Sequence, residues 1–218
     1  MKKFILSFLL LLLITNLFAE NSQTAVTNSG EKVILYDSGI WEYAPEQIIE
    51  NFNFRKSVWG MTKQNVIDSE NSEPIHETDV ALFFEVSVAN MEAWAIYIFS
   101  QQQLVRSKYY FIEDHTNDNL YIDDYNNLVE ILTSKYGDPI DSTTYWSDDL
   151  YKSDYSDWGF AISLGDMYMR TDWSTDETLV SSNIGGDGYE IEVEIYYESY
   201  NLAHLEDQQK QSQNQNDF

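Results

Sequence analysis

Between residues 81 and 113 three runs of extended character, ALFFEVSV, AWAIYIFS and LVRSKYYFIE, follow one another at hairpin spacing. In the first, Leu82, Phe84, Val86 and Val88 recur with a period of two, the pattern of a strand with one buried face. The middle run is apolar on both faces and predicts a central strand covered by a helix. Arg106 and Lys108 on the third run are expected to pair with nearby carboxylates rather than form a site. Ahead of these strands, Gly60 breaks the chain, Thr62 is placed to cap a helix, Val66 and Ile67 give that helix a narrow apolar side, and Pro74 marks its end region.

A second cycle follows. Ile122, Tyr125, Val129 and Leu132 repeat at helical spacing within Tyr121 to Tyr136, with Leu128 and Tyr136 beside them. Gly137 stops this helix and Pro139 prevents its return. MYMRTDW, TLVSSNI and YEIEVEIYY then predict three more strands. In the last, Ile191, Val193 and Ile195 face a core while Glu190, Glu192 and Glu194 face water, and Gly185-Gly186-Asp187-Gly188 is the expected turn before it.

These patterns predict an α+β domain over 54–200, an antiparallel meander sheet with helices on one face. They read as two helix-plus-three-strand units, about 60–113 and 121–198. Residues 140–160, rich in Asp, Ser and Tyr, show no period that assigns them an element. Before the domain, 20–53 reads as a polar leader with a flexible start, a hairpin of KVILY and IWEY around Asp37-Ser38-Gly39, and a short helix opened by Pro45. After it, 201–218 degrades into a Gln/Asn-rich stretch expected to be disordered. Its Asn216, Asn214 and Ser212 are polar where the closing strand of an outer-membrane barrel is apolar, which excludes that reading of Phe218.

The first nineteen residues set the compartment. Lys2 and Lys3 precede an apolar run from Phe4 to Ile14, and Ala19 supplies a small residue before Glu20-Asn21-Ser22-Gln23. This is the order of a signal peptide cleaved after Ala19, giving a periplasmic or extracellular protein. Ser7, Thr15 and Asn16 interrupt the roughly 20 apolar residues a spanning helix wants, and no later stretch predicts a membrane span. The chain has no cysteine, so neither a lipid anchor on that residue nor a disulfide enters, and the aromatic-rich core must hold the fold.

Cleavage leaves 10 basic residues against 37 acidic ones, a formal charge of −27. Binding to a phosphate backbone needs clustered Lys and Arg, so nucleic acid and anionic membranes are disfavoured. Solubility is the first reading of the acidity.

Candidate chemistry is thin. His76, His115 and His204 share no metalloprotease spacing. His115 lies in Asp114–Asp118, a cation-loop candidate whose simpler reading is a polar loop before a helix. Ile162-Ser163-Leu164-Gly165 lacks the leading glycine of a nucleophile elbow. Trp59, Trp94 and Trp173 are expected in the core. Asn183, Asp187 and Glu194 match calcium-loop positions with Gly188 at the sharp turn, but Gly185 interrupts the ligand set and a hairpin is preferred. Asp148, Asp149, Asp154 and Asp157 form the remaining acidic cluster and are the calcium candidates.

Gly60-Met61-Thr62 with Val66, and Gly137-Asp138-Pro139, resemble the signature of small exported envelope proteins. In that family "G-M-T-x-x-x-V" opens a helix and "G-x-P" leads into a meander. It comprises the lipoproteins of the outer-membrane barrel-assembly machinery and proteins of the β-lactamase-inhibitor fold. The resemblance implies helices on an antiparallel sheet used to bind other proteins. The expected function is therefore non-enzymatic binding, to another envelope protein, with no cofactor. An exported carbohydrate-active hydrolase or carbohydrate-binding protein, and a calcium-stabilised structural module, are the alternatives.

Overall fold

A computed structural model describes residues 22–26, 32–43, 52–206 and 208–209. The expected signal peptide and the helix expected from Pro45 lie outside the described residues. The chain divides into two units, 1–49 and 50–218.

In the first unit, β1 (Ser22–Val26), β2 (Lys32–Tyr36) and β3 (Trp41–Tyr43) form an antiparallel sheet in the order β1-β2-β3. The predicted hairpin is β2–β3, with Gly39 at φ 82° in its turn. β1 corrects the expectation of a flexible leader: SQTAV pairs along the whole of β2, from Ser22 opposite Tyr36 to Val26 opposite Lys32. Backbone pairing along an existing strand does not require an apolar period.

The second unit holds an eight-stranded antiparallel sheet in the order β4-β5-β6-β7-β11-β10-β9-β8. Its first four strands are β4 (His76–Glu77), β5 (Ala81–Val88), β6 (Met91–Ser100) and β7 (Gln103–Phe111). The others are β8 (Asp141–Trp146), β9 (Met167–Ser174), β10 (Thr178–Asp187) and β11 (Glu190–Ser199). Helices α1 (Lys63–Glu70), α2 (Asn119–Tyr136) and α3 (Trp158–Ser163), with a 3₁₀ turn at Tyr155–Asp157, complete it. The fold is α+β and mostly sheet. Each run of three expected strands is joined by a further edge strand, β4 or β8, and 140–160 supplies β8, the 3₁₀ turn and the start of α3.

Local chemistry explains the helices. Thr62 and Asn65 make a reciprocal capping box at the start of α1, and Asn71 ends it at φ 57°. In α2, Ile122, Tyr125, Leu128 and Leu132 are buried. Together with Val66 of α1 and Ala161 and Ile162 of α3 they join one core, built on the sheet face formed by Leu82, Phe84, Ala93, Ala95, Tyr97, Ile184, Val193 and Ile195. α3 crosses close to the start of α2. A Cβ on Gly159 would sit 2.4 Å from the Asp118 backbone, and its N–H donates to Asn119 Oδ1 at 2.7 Å.

Three details differ from expectation. The β10–β11 turn is Gly188-Tyr189, both at positive φ, while Gly185 and Gly186 lie inside β10 opposite Glu192 and Ile191. Glycine is required at 186 because a Cβ there would meet the carbonyl oxygens of Glu190 at 2.4 Å and Ile162 at 2.6 Å. Glu194 does not face water but is buried against Lys108. Finally, the chain past 200 does not leave the domain at once: Leu205 is buried, Glu206 pairs with Arg106, and Ser100 donates to Gln209 Oε1 at 2.7 Å. Residues 210–218 lie outside the described residues.

Candidate functional site

Since side chains alternate across a strand, the face of the sheet opposite the core can be read from the register. One row runs Phe83, Ile96, Lys108, Tyr196, Ser181, Asp172 and Asp141. The next runs Glu85, Trp94, Tyr110, Glu194, Asn183, Arg170 and Thr143. Beyond it, Tyr168 stands opposite Tyr145. Helices α1, α2 and α3 contribute to the core on the other side, and on this face the short helical stretch at 204–206 and 208–209 covers the Ile98 and Arg106 end, where Glu206 pairs with Arg106.

Aromatic rings form a band across it. Trp94 stacks on Tyr110 with centroids 5.7 Å apart. The Lys108 ammonium lies 5.4 Å from the Tyr110 ring centre and 5.1 Å from that of Tyr196, while pairing with Glu194. Tyr110 donates its hydroxyl to Glu192 at 3.2 Å, and Tyr168 donates to Asn183 Oδ1 at 2.8 Å. Burial and then the neighbouring glutamates push the Tyr110 and Tyr196 hydroxyls above the ordinary tyrosine value. Both are therefore neutral hydrogen-bonding groups at physiological pH.

Two shallow depressions, of about 530 and 340 Å³, meet at Tyr168, Asn183 and Tyr196. Gly185 opens the larger one, since a Cβ there would lie 2.9 Å from the Tyr168 ring. Asp187, Glu190 and Glu192 rim it. Arg170, in the smaller one, is held by Asp172 at 2.7 Å and Ser181 at 3.0 Å. Arg106 pairs with Glu206 and approaches Glu198 at 3.8 Å. Arg106 and Lys108 thus meet the carboxylates expected of them.

The expected core tryptophans divide. Trp173 is fully buried. Trp59 is half-buried and donates Nε1–H to Thr178 Oγ1 at 2.9 Å. Trp94 is a correction: it belongs to the face opposite the core, where it anchors the aromatic band.

The four calcium candidates each serve local structure or stand alone. Asp148 accepts from Leu150 N at 2.8 Å, Asp149 pairs with Lys152 at 3.0 Å, and Asp154 caps the 3₁₀ turn through Ser156. The bonds from Ser156 hold the Asp154 carboxyl below the ordinary range. Asp157 precedes α3 without a side-chain cap bond. Among the described residues, no group of three or more His, Asp or Glu converges on one point. Asn183, Asp187 and Glu194 are spread along the β10–β11 hairpin, the first bonded by Tyr168 and the last by Lys108.

His115 Nε2 bonds Asp124 at 2.6 Å and its ring packs on Tyr121, tying the loop to α2. His76 lies against Phe83, and His204 is exposed. Ser163 is buried with its hydroxyl donating to the Phe160 carbonyl at 2.9 Å, a helix-end bond and not the posture of a nucleophile.

The strongest electrostatic cluster lies on the helix side. Arg55 donates to both oxygens of Glu70 at 2.8 and 2.9 Å, and Tyr97 donates a third hydrogen bond to the same carboxylate. Phe54 touches the rings of Tyr97, Tyr109 and Tyr197 at 4.7–5.1 Å and closes the cluster. Only 4% of the Glu70 side chain is accessible, so the group ties the 54–57 turn to the end of α1 and offers no access to a substrate.

Comparison with protein-family models, curated proteins and solved structures gives no match to this chain. The class that can be stated is that of the fold: an α+β protein whose antiparallel sheet packs α1, α2 and α3 on one face and, among the described residues, carries only the short C-terminal helical stretch on the other. Among the described residues no helix is long and apolar enough to cross a membrane.

Proposed function

We propose that this chain is an exported, non-enzymatic binding protein that docks another envelope protein on the sheet face opposite α1, α2 and α3. The observation that carries the reading is the aromatic band of Trp94, Tyr110, Tyr196 and Tyr168 on that face. Buried tyrosine, tryptophan and arginine dominate the energetics of protein interfaces. Here they stand on strands of one sheet, with Trp94 and Tyr110 as direct register partners, so little backbone ordering entropy opposes docking. The export reading rests on the Lys2 to Ala19 pattern. The resemblance of the Gly60–Val66 segment to small envelope proteins points to the same kind of role, in two repeated helix-and-strand units.

A photo-crosslinking residue placed at Tyr196 or Tyr168, against a control at exposed Glu130 on α2, tests the proposal in the exporting cell. One discrete adduct from the sheet positions, absent from the α2 position, is expected. Adducts of equal yield from both faces, or from neither, refute it.

A further inference from the structure

Building on the reading of this face as a docking surface, we infer that its occupant is a basic protein surface that presents lysine or arginine side chains to the tyrosines. Among the described residues three cations lie on the face, and each is neutralised within the fold: Arg106 by Glu206, Lys108 by Glu194, and Arg170 by Asp172. Glu85, Glu92, Asp187, Glu190 and Glu192 are exposed around the aromatic band, and none of them forms an ion pair among the described residues. The face therefore presents aromatic rings inside a margin of unneutralised carboxylates.

That combination selects its partner by charge. A second copy would bring the same negative margin against this one, in a chain of formal charge −25, and like charges set face to face oppose docking. An anionic glycan or nucleic acid meets the same repulsion. A cationic surface is steered inward and regains the interactions the carboxylates lack.

The recognition chemistry already has an internal example. Lys108 lies between the rings of Tyr110 and Tyr196 with a glutamate on its ammonium. The 530 Å³ depression over Gly185 repeats those components one step along the sheet, with Tyr168 and Tyr196 as walls and Glu192 at the rim. It has room for an incoming lysine or arginine to lie on the rings, as cation–π contacts require.

The test uses the full chain purified after export, with cytochrome c as a basic probe and its acetylated form as the charge-depleted counterpart. A triple variant, Glu85→Gln, Glu190→Gln and Glu192→Gln, is compared with Asp123→Asn, Glu130→Gln and Asp138→Asn on the α2 side, which changes net charge equally. At low salt the sheet variant is expected to weaken cytochrome c binding about tenfold, chiefly in the association rate. The α2-side variant is expected to change it less than about twofold, and the acetylated probe to bind neither. Melting curves that overlay the unmodified protein establish that both variants fold.

Equal weakening by the two variants assigns the attraction to overall charge and overturns the inference, as does failure of the unmodified protein to bind cytochrome c. A discrete crosslinked partner whose contacting surface is acidic or uncharged also overturns it, while leaving the docking reading intact. Absence of face-specific crosslinks refutes the docking reading itself.

Discussion

Replacing Glu70 is expected to cost more stability than any other single change to a charged side chain in the sheet domain. Its carboxylate accepts two hydrogen bonds from Arg55 and one from Tyr97. It sits at the C-terminal end of α1, where a negative charge opposes the helix dipole without such partners. Arg55 itself holds a positive φ of 50° in the 54–57 turn, a conformation that costs an L-residue roughly 1–2 kcal/mol and that the ion pair anchors.

Removing one partner of a buried pair costs about 3–5 kcal/mol. Because the Arg55 side chain stays 24% accessible and regains some water, Glu70→Ala is expected at the lower end, about 3 kcal/mol. For a chain of this size that lowers Tm by roughly 6–12 °C. Glu70→Gln keeps an acceptor and is expected to lose about 2 kcal/mol.

The pH dependence follows from the same contacts. Burial alone would raise the Glu70 carboxyl, but Arg55 and Tyr97 outweigh it and hold the group below its ordinary value. A depressed carboxylate stabilises the fold fully above its unfolded value, about 4.3, and that contribution drains as pH falls through the lower folded value. Urea unfolding at a series of pH values should show the gap between the unmodified protein and Glu70→Gln constant above about pH 5 and narrowing below about pH 4. A gap under about 0.5 kcal/mol at neutral pH, within the usual range of surface changes, or one that does not narrow in acid, refutes the reasoning.

Ala89 sits at φ 55° in the β5–β6 turn, so Ala89→Gly is expected to stabilise by about 0.5 kcal/mol by relieving left-handed strain; a lower melting temperature would count against the turn geometry. At Gly186 a Cβ meets two backbone oxygens, whereas at Gly188, with φ 60°, it meets nothing within 4 Å. Gly186→Ala should therefore cost about 2–3 kcal/mol and Gly188→Ala about 1 kcal/mol, and equal melting temperatures would refute the distinction. Because Asp148, Asp149 and Asp154 are turned to local donors, millimolar calcium is expected to leave Tm unchanged; a rise of several degrees would identify a native-state site.

The fold was legible where one face of an element is buried along its whole length. The alternation of Leu82, Phe84 and Val86 and the stripe of Ile122, Tyr125 and Leu132 both lead to the core. It was illegible where that condition fails. β8 is an edge strand whose first five side chains are exposed, so DSTTYW carries no apolar period. α3 has six residues, too few for a helical period to repeat. The β5–β6 and β6–β7 turns use Ala89-Asn90 and Gln101-Gln102 at positive φ, without the glycine that ordinarily marks such turns. Conversely, Gly185 and Gly186 mimic a turn although their task is close approach within a strand.

The candidate face was hidden by the same logic read in reverse. β6 is apolar at both alternations, which reads as a strand with cover on both sides. In the fold Met91, Ala93, Ala95, Tyr97 and Phe99 meet the core, and the interleaved Trp94, Ile96 and Ile98 belong to the opposite face, where Ile96 is itself buried. The inward side carries two alanines in succession at these positions, while the outward side carries the tryptophan. A strand selected only for its own core would place the larger apolar surface inward, where burial stabilises by about 25 cal/mol per Å². Outward placement of Trp94, stacked on Tyr110 and continued by Tyr196 and Tyr168, leaves the first three rings only partly buried and Tyr168 exposed. A partner on this face would remove the remaining ring surface from water, and through that step the size pattern of one strand bears on the role proposed for the sheet.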